Sequence, residues 1–145
     1  MTFEELRPGL WRWTAGELSS VYYESSDALV LVDPAVPDDE PDRFFGALDR
    51  DVERLGLPVV IALTSADRRS ADLLAARYGA HVGGQLPEGV EAPAGAVWLP
   101  QHRALVVGGP VGPEVLDLPV DLLLPSRGEP VRENAREAVQ AAVDA

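Results

Sequence analysis

The chain has 145 residues, no cysteine and a formal net charge of −12. Its length suits one domain spanning residues 1–145, able to bury about 70% of its unfolded surface without covalent staples. The lack of cysteine excludes disulfides, thiolate nucleophiles and Cys-bound metal clusters, while the acidity argues against nucleic acid and anionic membrane as partners, since both reward a dense basic surface.

All 12 basic residues are arginine, so no lysine is present to form a Schiff base, and only His81 and His102 offer imidazole. The opening MTFEELRPGL has no basic stretch leading into an apolar core, and no run approaches the roughly 18 apolar residues of a membrane span. The expectation is a soluble, cytoplasmic protein.

In chain order, LWRW (10–13), SVYYES (20–25) and ALVLVDP (28–34) are rich in aromatic and β-branched residues and are separated by turn-like clusters, which predicts a meander of three antiparallel strands. The period then changes. Phe44, Phe45, Leu48, Val52 and Leu55 recur at helical spacing and Gly56 supplies a stop. The acidic residues before this helix, Asp38, Asp39, Glu40 and Asp42, are explained by the helix dipole rather than by a bound cation.

PVVIALT (58–64) is a short apolar run, as expected of a strand covered on both faces. A helix follows from about Ser70 to Tyr78, closed by Gly79, and AHVGG (80–84) reads as a further strand. QLPEGVEAPAG is loop by composition, AVWLP and RALVVGG form a hairpin around QH, and VDLLLPS is another strand. From about Asn134 a last helix carries Ala135, Ala138, Val139, Ala142 and Val143 on one face. Of the tyrosine pair 22 and 23, strand alternation sends one to the core and the other outward.

Several phrases in this order resemble the metallo-β-lactamase fold superfamily. LRPGLWRW followed by SSVYYESSDALVLVDPAVP looks like its opening strands and Asp-Pro turn, and VVIALTSADRRSADLLAARYGAHV like the strand, metal-binding turn and helix that usually read Thr-His-x-His-x-Asp-His. HRALVVGG resembles the strand that usually ends in Gly-Asp, and LLLPSRGEPV the late Pro-Gly-His-Gly segment, so the likeness runs from about residue 6 to 143. It implies an α/β fold: an αββα sandwich, shortened, with two mixed sheets flanked by helices. Most members are hydrolases that use histidines and carboxylates to hold one or two zinc or iron ions.

At the ligand positions this chain departs from the pattern. Ser65 and Asp67 stand at the first two histidine positions, and Arg69 and Ser70 at the following aspartate and histidine. Gly109 stands where an aspartate bridges metals, and Arg127 where the late histidine falls. Only Asp67 remains a donor, and a catalytic zinc needs about three. The expectation is no metal and no cofactor. A hard cation shared by Asp33 and Asp67 would need several waters, so Asp33 is better read as a hydrogen-bond acceptor bracing its turn. Neither Ser65 nor Ser70 lies in a Gly-x-Ser-x-Gly context, and neither His81 nor His102 falls at a ligand position.

If the fold holds, Asp67, Arg69 and Arg127 meet in one cleft, with Arg68 nearby. Asp67 then pairs with the arginines and fills the space of the lost ions; alternatively, spare guanidinium groups beside the helix start at Ser70 bind a carboxylate or phosphate. The candidate ligand-binding residues are thus Asp33, Ser65, Asp67, Arg68, Arg69, Ser70 and Arg127. Two functions remain open: a non-catalytic structural, regulatory or anion-binding module, working as a homodimer or with a small anion or partner protein, and a hydrolase with a displaced or non-standard site.

Overall fold

A computed structural model describes residues 2–145. Five strands form the first sheet in sequence order: β1 (Thr2–Arg7), β2 (Leu10–Ala15), β3 (Leu18–Glu24), β4 (Leu29–Val32) and β5 (Val59–Ala62). The first four form an antiparallel meander, and β5 joins β4 in parallel after the chain crosses over through α1 (Pro41–Leu55). The second sheet holds β6 (Val97–Leu99), β7 (Ala104–Val107) and β8 (Leu122–Pro125), with β6 antiparallel and β8 parallel to β7. Helices α2 (Ala71–Tyr78) and α3 (Ala135–Asp144) complete the layers.

Three apolar clusters show how the layers stack. Leu10, Val21, Tyr23, Val30 and Val32 of the first sheet meet Val97, Leu99, Val106, Leu122 and Leu124 of the second. On the outer face of the first sheet Trp13, Tyr22, Leu29, Leu31 and Ile61 are covered by Phe44 and Leu48 of α1 and Leu74 of α2. On the outer face of the second, Trp98, Leu105 and Leu123 are covered by Val139 of α3 and by Val115 of a 3₁₀ turn. The result is an αββα sandwich of two mixed sheets. Because both faces of each sheet are covered, the central strands read as continuous apolar runs instead of alternating ones.

The helices form where the apolar spacing asks for them. Phe44 and Leu48, one turn apart, bury one face of α1, and Phe44 packs 5.4 Å from the Trp13 ring. Gly56 and Gly79 end α1 and α2 in left-handed conformations that residues with a Cβ adopt only with strain.

Four expectations are corrected. The meander has a further edge strand, β1, in TFEELR, where mostly exposed and half-buried positions hide any apolar alternation. AHVGG is no strand: Val82 makes one isolated bridge to Ile61, and the positive φ of Gly83 ends the extension there. Both tyrosines are buried, Tyr23 between the sheets and Tyr22 under α1, because the outward face is itself covered. His102 sits where β6 turns into β7, as the hairpin around QH implies, but there it is neither on the surface nor hydrogen-bonded through Nε2: it is buried within the 3₁₀ turn Pro100–His102.

Candidate functional site

The turn after β5 lies at the end of the sandwich where β4 and β8 also finish and β3 begins. Asp33, the first residue past β4, is 2% exposed and holds a left-handed φ of 48°. Its Oδ1 accepts the backbone N–H of Thr64 at 2.9 Å, and its Oδ2 accepts the Thr64 hydroxyl. Both carboxylate oxygens are thereby engaged in bracing the two turns together. Gly108, at the end of β7, packs so closely on this pair that an added Cβ would overlap the Thr64 hydroxyl and stand 3.2 Å from Asp33 Oδ2.

Arg69 fills the centre. Its side chain is 5% exposed. Nη1 donates to the carbonyl oxygens of Ser19 at 2.7 Å and Asp33 at 2.8 Å, and Nη2 to that of Ser126 at 3.2 Å. Ser19 opens β3 and Ser126 follows β8, so one guanidinium ties the two sheets together. A charge this buried needs several acceptors, and three carbonyl dipoles supply them. Desolvation lowers the Arg69 pKa from its usual value; nearby Asp33 and Asp67 oppose that shift and the positive charge of Arg127 adds to it. The backbone shares the constraint, with φ of Arg69 at 47°.

The other candidates are distributed around this plug. Asp67 lies 3.9 Å from Arg69 Nε through Oδ2 and accepts the Arg69 backbone N–H at 3.1 Å, but its side chain is 55% exposed, so it caps the turn and leaves the carbonyls to solvate the guanidinium. Ser65 Oγ accepts the Asp67 N–H at 3.3 Å. Ser70 Oγ accepts the N–H of Val36 at 2.8 Å, which docks the loop after β4 onto the start of α2. Arg68 turns away to pair with Asp72 one helical turn on, and Arg127 points outward, its nearest carboxylate being Glu17 at 3.9 Å. The expected meeting of Asp67, Arg69 and Arg127 therefore holds for the first two only, because Ser126 presents its carbonyl and not its neighbour's side chain to the cleft.

The donor set does not fit a transition metal. Among the described residues no three His, Asp or Glu side chains come together. At the turn itself Asp33 is spent on Thr64, and the Arg69 guanidinium occupies the centre, where its fixed charge repels a dication. The residues that shape this end but escaped the sequence are Ser19, Ser20, Thr64, Gly108 and Ser126. Small polar residues acting through backbone carbonyls and close approach leave almost no signature in one sequence. The Ser19–Ser20 pair opening an otherwise apolar strand was the one visible hint: Ser20 Oγ donates to the Asp33 carbonyl at 2.7 Å.

Comparison with solved structures identifies this architecture. The chain superposes on VMB-1 with a TM-score of 0.61 at 13% identity, covering 98% of this chain and 95% of that one. It is similar to an NDM_FIM-1 like metallo-β-lactamase from Erythrobacter litoralis in a mono-zinc form, TM-score 0.61 at 15% identity, covering 99% and 94%. A further metallo-β-lactamase structure from Erythrobacter litoralis gives a TM-score of 0.58 at 15% identity, covering 98% and 90%. The chain has the metallo-β-lactamase fold, and at these identities the likeness is one of fold. No protein-family profile and no curated protein matches the sequence. No helix among the described residues is long and apolar enough to cross a membrane.

Proposed function

We propose that this is a non-catalytic protein of the metallo-β-lactamase fold, in which the end carrying the turn that resembles the superfamily's metal-binding motif serves as a rigid, arginine-plugged surface for binding. The observation that carries this reading is the Arg69 guanidinium, buried and held by carbonyl oxygens from both sheets where a hydrolytic centre would need open coordination positions. A buried arginine with all its acceptors in place neither releases a proton nor makes room for a metal-bound hydroxide.

Elemental analysis after incubation with zinc, iron and manganese tests it, together with turnover of a chromogenic β-lactam and a thioester. The expected result is far less than one metal per chain after gel filtration and no hydrolysis above buffer. One equivalent of retained metal, with hydrolysis abolished by a chelator, would overturn the reading.

A further inference from the structure

Beside the Arg69 plug, on the same end of the sandwich, runs a groove of about 360 Å³ between the β2–β3 turn and the segment after β8. Arg12 and Arg127 both line it. We infer that this groove binds a small dicarboxylate, one carboxylate on each guanidinium. This deepens the binding role proposed above by naming a ligand class, yet it stands on different residues.

Arg12 follows Leu10 on the inter-sheet face of β2, at the point where the core gives way to solvent. Its side chain is 8% exposed, and Nη2 is fixed by Ser19 Oγ at 3.1 Å and the Gly128 carbonyl at 3.4 Å. That leaves Nη1, which donates to Oε2 of Glu129, another lining residue of the groove, at 3.3 Å. Arg127 meets Glu17 Oε2 at 3.9 Å. Both glutamates stand almost wholly in water, Glu129 at 86% and Glu17 at 93% exposure. Each arginine in the groove is therefore neutralised by a carboxylate on a long, solvated side chain.

Such pairs are weak, because Coulomb attraction in high dielectric is offset by the entropy of holding two flexible side chains. A short ligand with two carboxylates presents the same acceptors without that loss, and a charge-assisted hydrogen bond from Arg12 Nη1 and another from the Arg127 guanidinium can hold its two ends. The hydroxyl-bearing Thr14 and Ser19 also line the groove, suiting a polar ligand body. The net charge of −12 repels anions at long range, but at physiological salt that repulsion fades beyond about 8 Å, so the groove's own charges, Arg12 and Arg127 against the displaceable Glu17 and Glu129, decide binding. A purely structural Arg12 would need only Ser19 and Gly128 and would ignore added dicarboxylate.

The test is an arginine Nε–Hε NMR titration of the intact chain with succinate, acetate and inorganic phosphate at constant ionic strength. Saturable shifts of Arg12 and Arg127 with succinate, at concentrations about tenfold below those needed for acetate or phosphate, are expected. Arg127→Gln, at an exposed position that leaves the fold intact, weakens succinate about tenfold, and Glu129→Gln, which removes a competing carboxylate, strengthens it. No saturable shift, equal binding by Arg127→Gln, or tighter binding of phosphate would each overturn the assignment. Metal content and turnover, measured on the same samples, separate its failure from that of the non-catalytic reading.

Discussion

Arg69 Nη1 donates to the Asp33 carbonyl at 2.8 Å, joining two residues that both hold left-handed backbone torsions on different turns. Neither arginine nor aspartate adopts that region without cost, of order 1–2 kcal/mol each. The link thus fixes the two strained turns against each other, and it puts Arg69 at the centre of the site's stability.

Arg69→Met should accordingly lower the unfolding free energy by about 2–3 kcal/mol, through lost charge-assisted hydrogen bonds. The loss is bounded because the Asp33 and Ser126 carbonyls keep second donors in Ser20 Oγ and Ser19 N. Urea denaturation checks this: the midpoint falls while the slope stays constant. A gain in stability would instead mean that desolvating the guanidinium outweighs its bonds.

Gly108→Ala forces a methyl group into the Thr64 hydroxyl, which is engaged with Asp33. Overpacking of this kind costs about 1–3 kcal/mol. Thr64→Ala alone loses the hydroxyl bond, but in the double variant the added methyl has room. The two substitutions should combine to less than their sum, as thermal melts of the four proteins in the cycle would show.

His102 gives a pH dependence with a definite sign. It is buried, its Nε2 has no hydrogen-bond partner among the described residues, and its ring packs edge-on to Tyr23 at 5.5 Å. Desolvation first, then the neighbouring Arg7 charge, pushes its pKa below the usual 6.5. The folded chain therefore resists a proton that the unfolded chain accepts. Stability from this group is complete above about pH 6.5 and declines as pH falls through that value, by at most about 1.4 kcal/mol per pH unit, until the folded imidazole also titrates. His102→Gln should flatten that part of the stability profile, as urea denaturation followed across this pH range would show.

The main elements could be read from the sequence because their signals are local and redundant. Phe44 and Leu48 at helical spacing before Gly56 admit one interpretation, as does an apolar run such as VVIA between a proline and a polar turn. The edge strand β1 could not be read so, since its neighbours in space determine its pairing and its own residues carry little apolar contrast. At the site, the replacement of histidines by Ser65, Asp67, Arg69 and Ser70 was visible, but the destination of each side chain was not. Charge suggested that Asp67 would satisfy the arginines. Geometry gave Arg69 to three main-chain carbonyls and turned Arg127 outward, and carbonyls have no letter in a sequence. Arg12, flanked by Trp11 and Trp13, carries no sequence signal of its groove, whose other walls come from the β2–β3 turn and residues 127–129.

The junction between Ser19 and Ser126 has a kinetic consequence. The Ser19 amide donates to the Ser126 carbonyl at 2.8 Å, and an isolated bridge between Leu18 and Arg127 adjoins it, so a strand of the first sheet is stitched directly to the end of the second. That amide exchanges with solvent deuterons only when the stitch opens. Its exchange rate is therefore a clock for parting of the sandwich at this end, separate from the rate at which the whole chain unfolds.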